Sequence, residues 1–105
     1  MLTAITSKND HIDSEFDLRF GRGAWFCIFN EKTGDIQFIE NEHKDAQGGA
    51  GTKAAEKMIS LGVKKIISGD FGPKAKELLD KFNIQLVILQ DEANTIEQII
   101  GRLQK

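Results

Sequence analysis

Cysteine, proline and tryptophan occur once each in the 105 residues, and tyrosine does not occur at all. The lone Cys27 excludes an internal disulfide and fits a reducing, cytoplasmic setting. No run approaches the ~18 apolar residues that a membrane span needs. Met1 to Thr6 carries neither a charged leader nor the apolar stretch of a signal peptide. Charge of one sign is missing too: 14 basic and 16 acidic side chains leave a formal net charge of −2, with the signs interspersed. Nucleic acid binding therefore has no electrostatic support. Internal repeats and low-complexity tracts are absent. What remains is a 40% apolar fraction, enough for one core in a single domain over residues 1–105. Glycine is the other resource, and most of the ten glycines fall in three short loops.

The hydrophobic pattern changes period along the chain. Leu2 to Thr6 reads as a strand, followed by a polar loop through Asn9, Asp10 and Asp13. Trp25 to Asn30 is nearly continuous in apolar residues, as expected of a strand buried on both faces. Asn30 to Gly34 makes a hairpin loop, and Asp35 to Glu40 is the return strand. From Ala54 to Leu61 the spacing becomes helical, and Gly62 stops that helix. Lys65 to Ser68 is a strand. Pro73 opens a helix striped by Ala75, Leu78, Leu79 and Phe82, which Asn83 ends. Gln85 to Leu89 is the last strand, and Thr95 with Gln98 forms a capping box for a final helix. The resulting order is β-β-β-α-β-α-β-α, an α/β class. Right-handed crossovers then predict a five-stranded mixed sheet in the order 3-2-1-4-5. That topology sends all three glycine loops to the carboxyl ends of the parallel strands, where open α/β sheets take ligands.

The loops are Arg19-Phe20-Gly21-Arg22-Gly23, Gly48-Gly49-Ala50-Gly51-Thr52 and Gly69-Asp70-Phe71-Gly72-Pro73. Two of them lead into helices, whose free N–H groups and positive dipole ends suit an anion. Arg19 and Arg22 add permanent charge with a planar donor fork. Asp70 either accepts a ligand hydrogen bond or, the commoner role, caps the helix beside it. Phe71 either plugs the core or walls the pocket. His11 and His43 fall in loops at the same edge but lack metal-site spacing, so solvation is the default for both. Cys27, in mid-strand, reads as a buried small hydrophobe.

Sharper motifs fail. Gly51-Thr52-Lys53 reverses the Lys-Thr order of a P-loop. Gly49-x-Gly51-x-x-Ala54 matches the dinucleotide fingerprint, but the strand before it is the edge strand of a hairpin rather than part of a compact βαβ unit. The fold is close to ribonuclease H, whose chemistry needs carboxylates holding two metals, and the first strand has none. No nucleophile sits beside a base.

Asp17-Leu18-Arg19-Phe20-Gly21-Arg22-Gly23-Ala24-Trp25-Phe26 resembles the "RFGRA-aromatic-F" segment of the dinitrogenase iron–molybdenum cofactor biosynthesis family. Gln47 to Gly51 resembles that family's "GGAG" turn, and Gly69 to Ala75 its "G-N-x-G-P-x-A" turn. The three segments come in order and with the right spacing over nearly the whole chain. The resemblance implies a ribonuclease H-like fold and a non-enzymatic, cytoplasmic accessory role of the NifX, NafY and NifB C-terminal-domain type. It implies binding or carrying of the iron–molybdenum cofactor or a related iron–sulfur or molybdenum–sulfur cluster, with a donor or acceptor protein as partner. Many cluster-binding members carry His-Phe-Gly where this chain has Arg19-Phe20-Gly21. A guanidinium stays protonated and cannot coordinate a metal as an imidazole does. The expected site is therefore Arg19, Phe20, Gly21, Arg22, Gly48, Gly49, Gly51, Asp70 and Gly72, holding an anionic cluster without an assigned metal ligand. The alternative is a metal-free module that binds an anion or nucleotide phosphate through the same loops.

Overall fold

The computed structural model describes residues 1–104. Strands β1 (Leu2–Ser7), β2 (Trp25–Asn30) and β3 (Ile36–Glu40) are followed by helix α1 (Ala50–Leu61), strand β4 (Val63–Ser68), helix α2 (Pro73–Lys81), strand β5 (Gln85–Ile88) and helix α3 (Ile96–Leu103). The sheet order is β3-β2-β1-β4-β5. β1 pairs antiparallel with β2 and parallel with β4. β2 pairs antiparallel with β3, and β4 parallel with β5. This is the expected five-stranded, ribonuclease H-like arrangement. Most element ends differ from the pattern reading by one or two residues, as hydrogen bonding rather than hydropathy sets them, and α1 begins four residues earlier, at Ala50, because its first turn is the glycine-rich segment that carries no apolar stripe.

Period-two alternation divides the core into two layers. On one face Ala4, Phe26, Ile28 and Ile66 meet Ala54, Ala55 and Met58 of α1 and Ala75 and Leu79 of α2. On the other, Ile5, Cys27, Phe29 and Ile67 pack with Ile96, Ile99 and Ile100 of α3 and with Phe16 from the long β1–β2 connection. The helix ends follow local chemistry. Gly62 closes α1 in the left-handed conformation (φ 79°). Asn83, just past α2, also has positive φ (57°). At α3, Thr95 accepts from the Gln98 N–H while the Gln98 side chain accepts from the Thr95 N–H. Gly34 (φ 84°) turns the β2–β3 hairpin, whose Asn30 side chain accepts from the Lys32 and Thr33 N–H groups.

Candidate functional site

The starts of α1 and α2 share one open cavity of about 560 Å³, walled by the connections that leave the carboxyl ends of β1, β3 and β4. Gly49 to Thr52 line it from α1, Gly72 to Ala75 from α2, and Gly21, Arg22 and Asp70 from the loops between. In each helix the first recorded return bond comes four residues in, from the Lys53 N–H to the Gly49 carbonyl (2.9 Å) and from the Lys76 N–H to the Gly72 carbonyl (2.9 Å). The N–H groups before those have no place in the helical ladder. Neither N-cap, Gly49 or Gly72, offers a side-chain cap, and neither first turn contains an acid. α3 is the opposite case, with a complete capping box and Glu97 in its first turn. Two helix N-termini thus face the same space, with no cap and no first-turn acid to offset their partial positive charge and Asp70 as the carboxylate in the shared wall.

Close backbone approach makes the cavity. A Cβ on Gly21 would lie 2.8 Å from the Gly51 nitrogen and 2.9 Å from its Cα. The 19–23 loop therefore rests directly on the first turn of α1. Gly69 does the same against Leu18, where a Cβ would come within 2.6 Å of the Leu18 carbonyl oxygen. That contact sets a strand-like bridge between Arg19 and Asp70 and joins the first loop to the third.

Buried polar side chains hold the first loop in place. Asp17 is nearly inaccessible and accepts from the Arg19 backbone N–H (2.9 Å), Nε (3.1 Å) and a terminal guanidinium nitrogen (3.1 Å). These bonds, and the attraction of the carboxylate, raise the Arg19 pKa above its ordinary value. They also turn the Arg19 fork back onto its own loop, so Arg19 is absent from the cavity wall. Asn41, also buried, donates to the carbonyls of Gly21 (2.9 Å) and Gly23 (2.9 Å) and accepts from the His43 N–H (3.2 Å). Arg22 lines the cavity while one of its terminal nitrogens donates to the carbonyls of Lys44 (2.9 Å) and Ala46. It ties the segment before α1 to the first loop.

Six of the nine residues expected at the site, Gly21, Arg22, Gly49, Gly51, Asp70 and Gly72, line this one cavity. Arg19, Phe20 and Gly48 do not. Phe20 is a core residue, packed against Phe71 (centroids 5.1 Å apart) and Phe26 (6.0 Å). Phe71 is half-buried and joins the same core layer. The commoner reading of Asp70, a helix cap, does not hold, because Gly72 is the N-cap of α2 and no side chain caps it. His11 is exposed and pairs with Asp13, whose pKa is lowered by that hydrogen bond. His43 lines a different groove, between the end of β3 and α1, together with Glu40, Lys53 and Lys57. Cys27 is fully buried, and burial pushes its thiol up to about 12. Among the described residues, no group of three His, Cys, Asp or Glu side chains is arranged to hold a metal ion. No described helix is long and apolar enough to cross a membrane. Pattern reasoning missed Asn41 and Asp17. An Asn directly after a strand and an Asp before an Arg-rich glycine loop are the only local hints, and neither names its partner.

Comparison with known proteins places the chain among relatives of one kind. The profile of the family described as dinitrogenase iron-molybdenum cofactor matches residues 1–105. An uncharacterized protein of Methanocaldococcus jannaschii is 30% identical over 94 residues, covering 82% of this chain and 78% of that protein. The apo form of the orange protein from Desulfovibrio gigas superposes with a TM-score of 0.89 at 28% identity, over 96% of this chain and 84% of the other. A putative NifB protein from Thermotoga superposes with a TM-score of 0.81 at 27% identity, over 95% and 84%.

Proposed function

The chain belongs to the dinitrogenase iron-molybdenum cofactor family, and from that premise we propose that it binds and carries an anionic metal–sulfur cluster, without catalytic turnover, in the cavity between α1 and α2. The observation that carries this reading is the pair of helix N-termini that converge on one space with neither a side-chain cap nor an acid in the first turn. α1 presents the N–H groups of its first turn to a ligand, and α2 those of Lys74 and Ala75, since Pro73 has none. Sulfide ligands at the surface of such a cluster accept hydrogen bonds and carry its negative charge. Arg22 and Lys74 add cationic side chains to the wall. With no metal-ligating cluster of side chains among the described residues, the cargo is held by charge and N–H donors, which also lets it be handed on intact.

Gly49, Gly51 and Gly72 let the cluster approach the backbone, and Gly21 lets the first loop rest on α1. Arg19, Phe20 and Gly48 act behind the wall, by shaping the loops that form it. Asp70 is the one carboxylate in the lining, and it opposes an anion. The single domain works in the cytoplasm beside a cluster donor or acceptor protein.

The test is an anaerobic titration with tetrathiomolybdate, followed by visible absorption, run in parallel with inorganic phosphate and ATP. Isolation from the native host with metal and sulfide analysis identifies the cargo. The reading expects saturable thiometallate binding that weakens as salt rises, because mobile ions screen exposed charges within ~10 Å at 0.1 M. Arg22→Ala and Lys74→Ala should weaken it, and Asp70→Asn should strengthen it. Saturable nucleotide binding with no thiometallate binding would make the chain a phosphate-binding module instead. Unchanged affinity in Arg22→Ala and Lys74→Ala at low salt would remove the anion chemistry altogether.

A further inference from the structure

The sheet ends in two edge strands, and they are protected very differently. β3 is bordered by Asp35, Glu40 and Glu42, all exposed, so a second β3 approaching it would meet like charge. β5 lies in the stretch Phe82 to Gln90, which contains no charged residue, no proline and no glycine. Natural edge strands are commonly blunted by charged side chains or proline, and one without them offers its backbone to another strand.

The backbone of β5 is available on its outer side. The Leu89 N–H donates to the Ser68 carbonyl (3.0 Å), and Val87 is the register partner of Ile67. By the two-residue period, Gln85, Val87 and Leu89 direct their backbone groups toward β4, and Leu86 and Ile88 direct theirs away. Apolar side chains are exposed beside this edge. Ile88 is 63% exposed and Phe82 is 49% exposed. Between α2 and the outer side of β5 lies a hollow of about 420 Å³, with Phe71, Ile84, Leu86 and Ile88 as its apolar lining and Lys76, Asp80 and Gln85 on its rim.

We propose that β5 pairs antiparallel with β5 of a second copy of this chain, about a two-fold axis at Val87, joining the two sheets into one. In that register Leu86 faces Ile88 of the second copy, and each such pair exchanges two N–H to carbonyl bonds. Symmetry supplies the pair twice. A register centred on Leu86 or on Ile88 places only one such pair within the strand. The Val87 register also sets each Ile88 beside the Leu86 side of the other copy's hollow, since directly opposed residues share a face.

Charge at the strand ends favours a second copy as occupant. Lys81, the last residue of α2, precedes β5 and is exposed, whereas Asp91 and Glu92 follow it and are exposed, Glu92 already paired with Lys8 (3.3 Å). Antiparallel pairing brings the basic end of one strand to the acidic end of the other, twice, with an uncharged centre between. The residues involved are outside the wall of the α1–α2 cavity, so the pairing does not depend on what that cavity holds.

The test is sedimentation velocity of the full chain over a concentration series, with hydrogen exchange of backbone amides at low and high concentration. The expected result is a monomer–dimer equilibrium in which the Leu86 and Ile88 amides exchange more slowly as concentration rises. Ile88→Lys, at an exposed position, should raise the dimer dissociation constant about tenfold or more, with an unchanged circular dichroism spectrum. Ile36→Lys, on the β3 edge, should leave it unchanged. A chain that stays monomeric up to its solubility limit overturns the proposal. So does a dimer that survives Ile88→Lys, is lost in Ile36→Lys, or protects β3 amides instead. Should Ile88→Lys fail to fold, the exchange pattern of the parent chain decides alone.

Discussion

Replacing Gly21 by alanine probes the contact that shapes the cavity. Gly21 is outside the left-handed region, so its backbone conformation accepts an alanine. The obstacle is steric. The new Cβ would sit 2.8 Å from the Gly51 nitrogen, 2.9 Å from the Gly51 Cα and 3.2 Å from the Ala50 carbonyl carbon. The first of these is about 0.7 Å inside the ~3.5 Å at which non-bonded heavy atoms rest. All three atoms are backbone at the start of a helix and cannot swing aside as a side-chain tip would. Either the 19–23 loop or the first turn of α1 must move. The loop is tied down by Asn41, which donates to the carbonyls of both Gly21 and Gly23. Overpacking of this kind costs roughly 1–3 kcal/mol. In a domain of this size each kcal/mol lowers the melting temperature by about 4 °C or more, so thermal unfolding followed by circular dichroism should show a fall of roughly 4–15 °C. Gly51→Ala is the control from the other side of the contact. Its Cβ would meet only the Ala75 Cβ at 3.5 Å, an ordinary contact. Removing a glycine from a helix gains up to about 1 kcal/mol, so Gly51→Ala should be as stable as the parent or slightly more so. A Gly21→Ala protein that melts with the parent, or a Gly51→Ala protein that melts below Gly21→Ala, would refute the account of how the loop and helix fit.

Asn41→Ala removes two donated bonds and one accepted bond at a buried site. At about 1 kcal/mol per bond, chemical denaturation should show a loss of roughly 2–4 kcal/mol, and an unchanged midpoint would mean the clamp is idle. Cys27→Ala deletes a fully buried sulfur that makes no use of its thiol. It should cost on the order of 1–2 kcal/mol and leave thiometallate affinity intact; loss of affinity in a folded variant would expose a missed ligand. Glu31 has its pKa lowered first by the Thr3 hydroxyl and then by Lys65 (3.1 Å). A carboxyl held low in the folded chain stabilises above its unfolded pKa of about 4.3, and that contribution is lost as pH falls through the folded value. Glu31→Gln should therefore flatten the acid limb of stability against pH below about 4.3, and a limb as steep as the parent's would assign it to other groups.

Much of the architecture was legible in the sequence because it is dictated locally. The apolar run from Trp25 to Phe29 requires a strand buried on both faces, and the Thr95–Gln98 spacing requires a helix start, whatever lies elsewhere in the chain. Chirality then leaves little freedom: right-handed crossovers in the two strand–helix–strand units, β3-α1-β4 and β4-α2-β5, bring the glycine loops to one edge. The family motifs followed from the same loops. Only the tertiary structure decided what each side chain there does. Phe20 sits between glycine and arginine in a loop yet packs in the core, because Phe26 and Phe71 close over it from other elements. Arg19 and Arg22 look equivalent in the chain, but a buried Asp17 takes the fork of the first, while the second reaches the cavity and the carbonyls of Lys44 and Ala46. Asn41 carries no motif at all, and its partners lie 18 and 20 residues away. Periodicity and turn chemistry act over a few residues, so they set elements and loop positions. Which polar group satisfies which carbonyl, and whether an arginine is spent within the loop or left facing a ligand, depends on distances that exist only once the sheet has brought remote segments together.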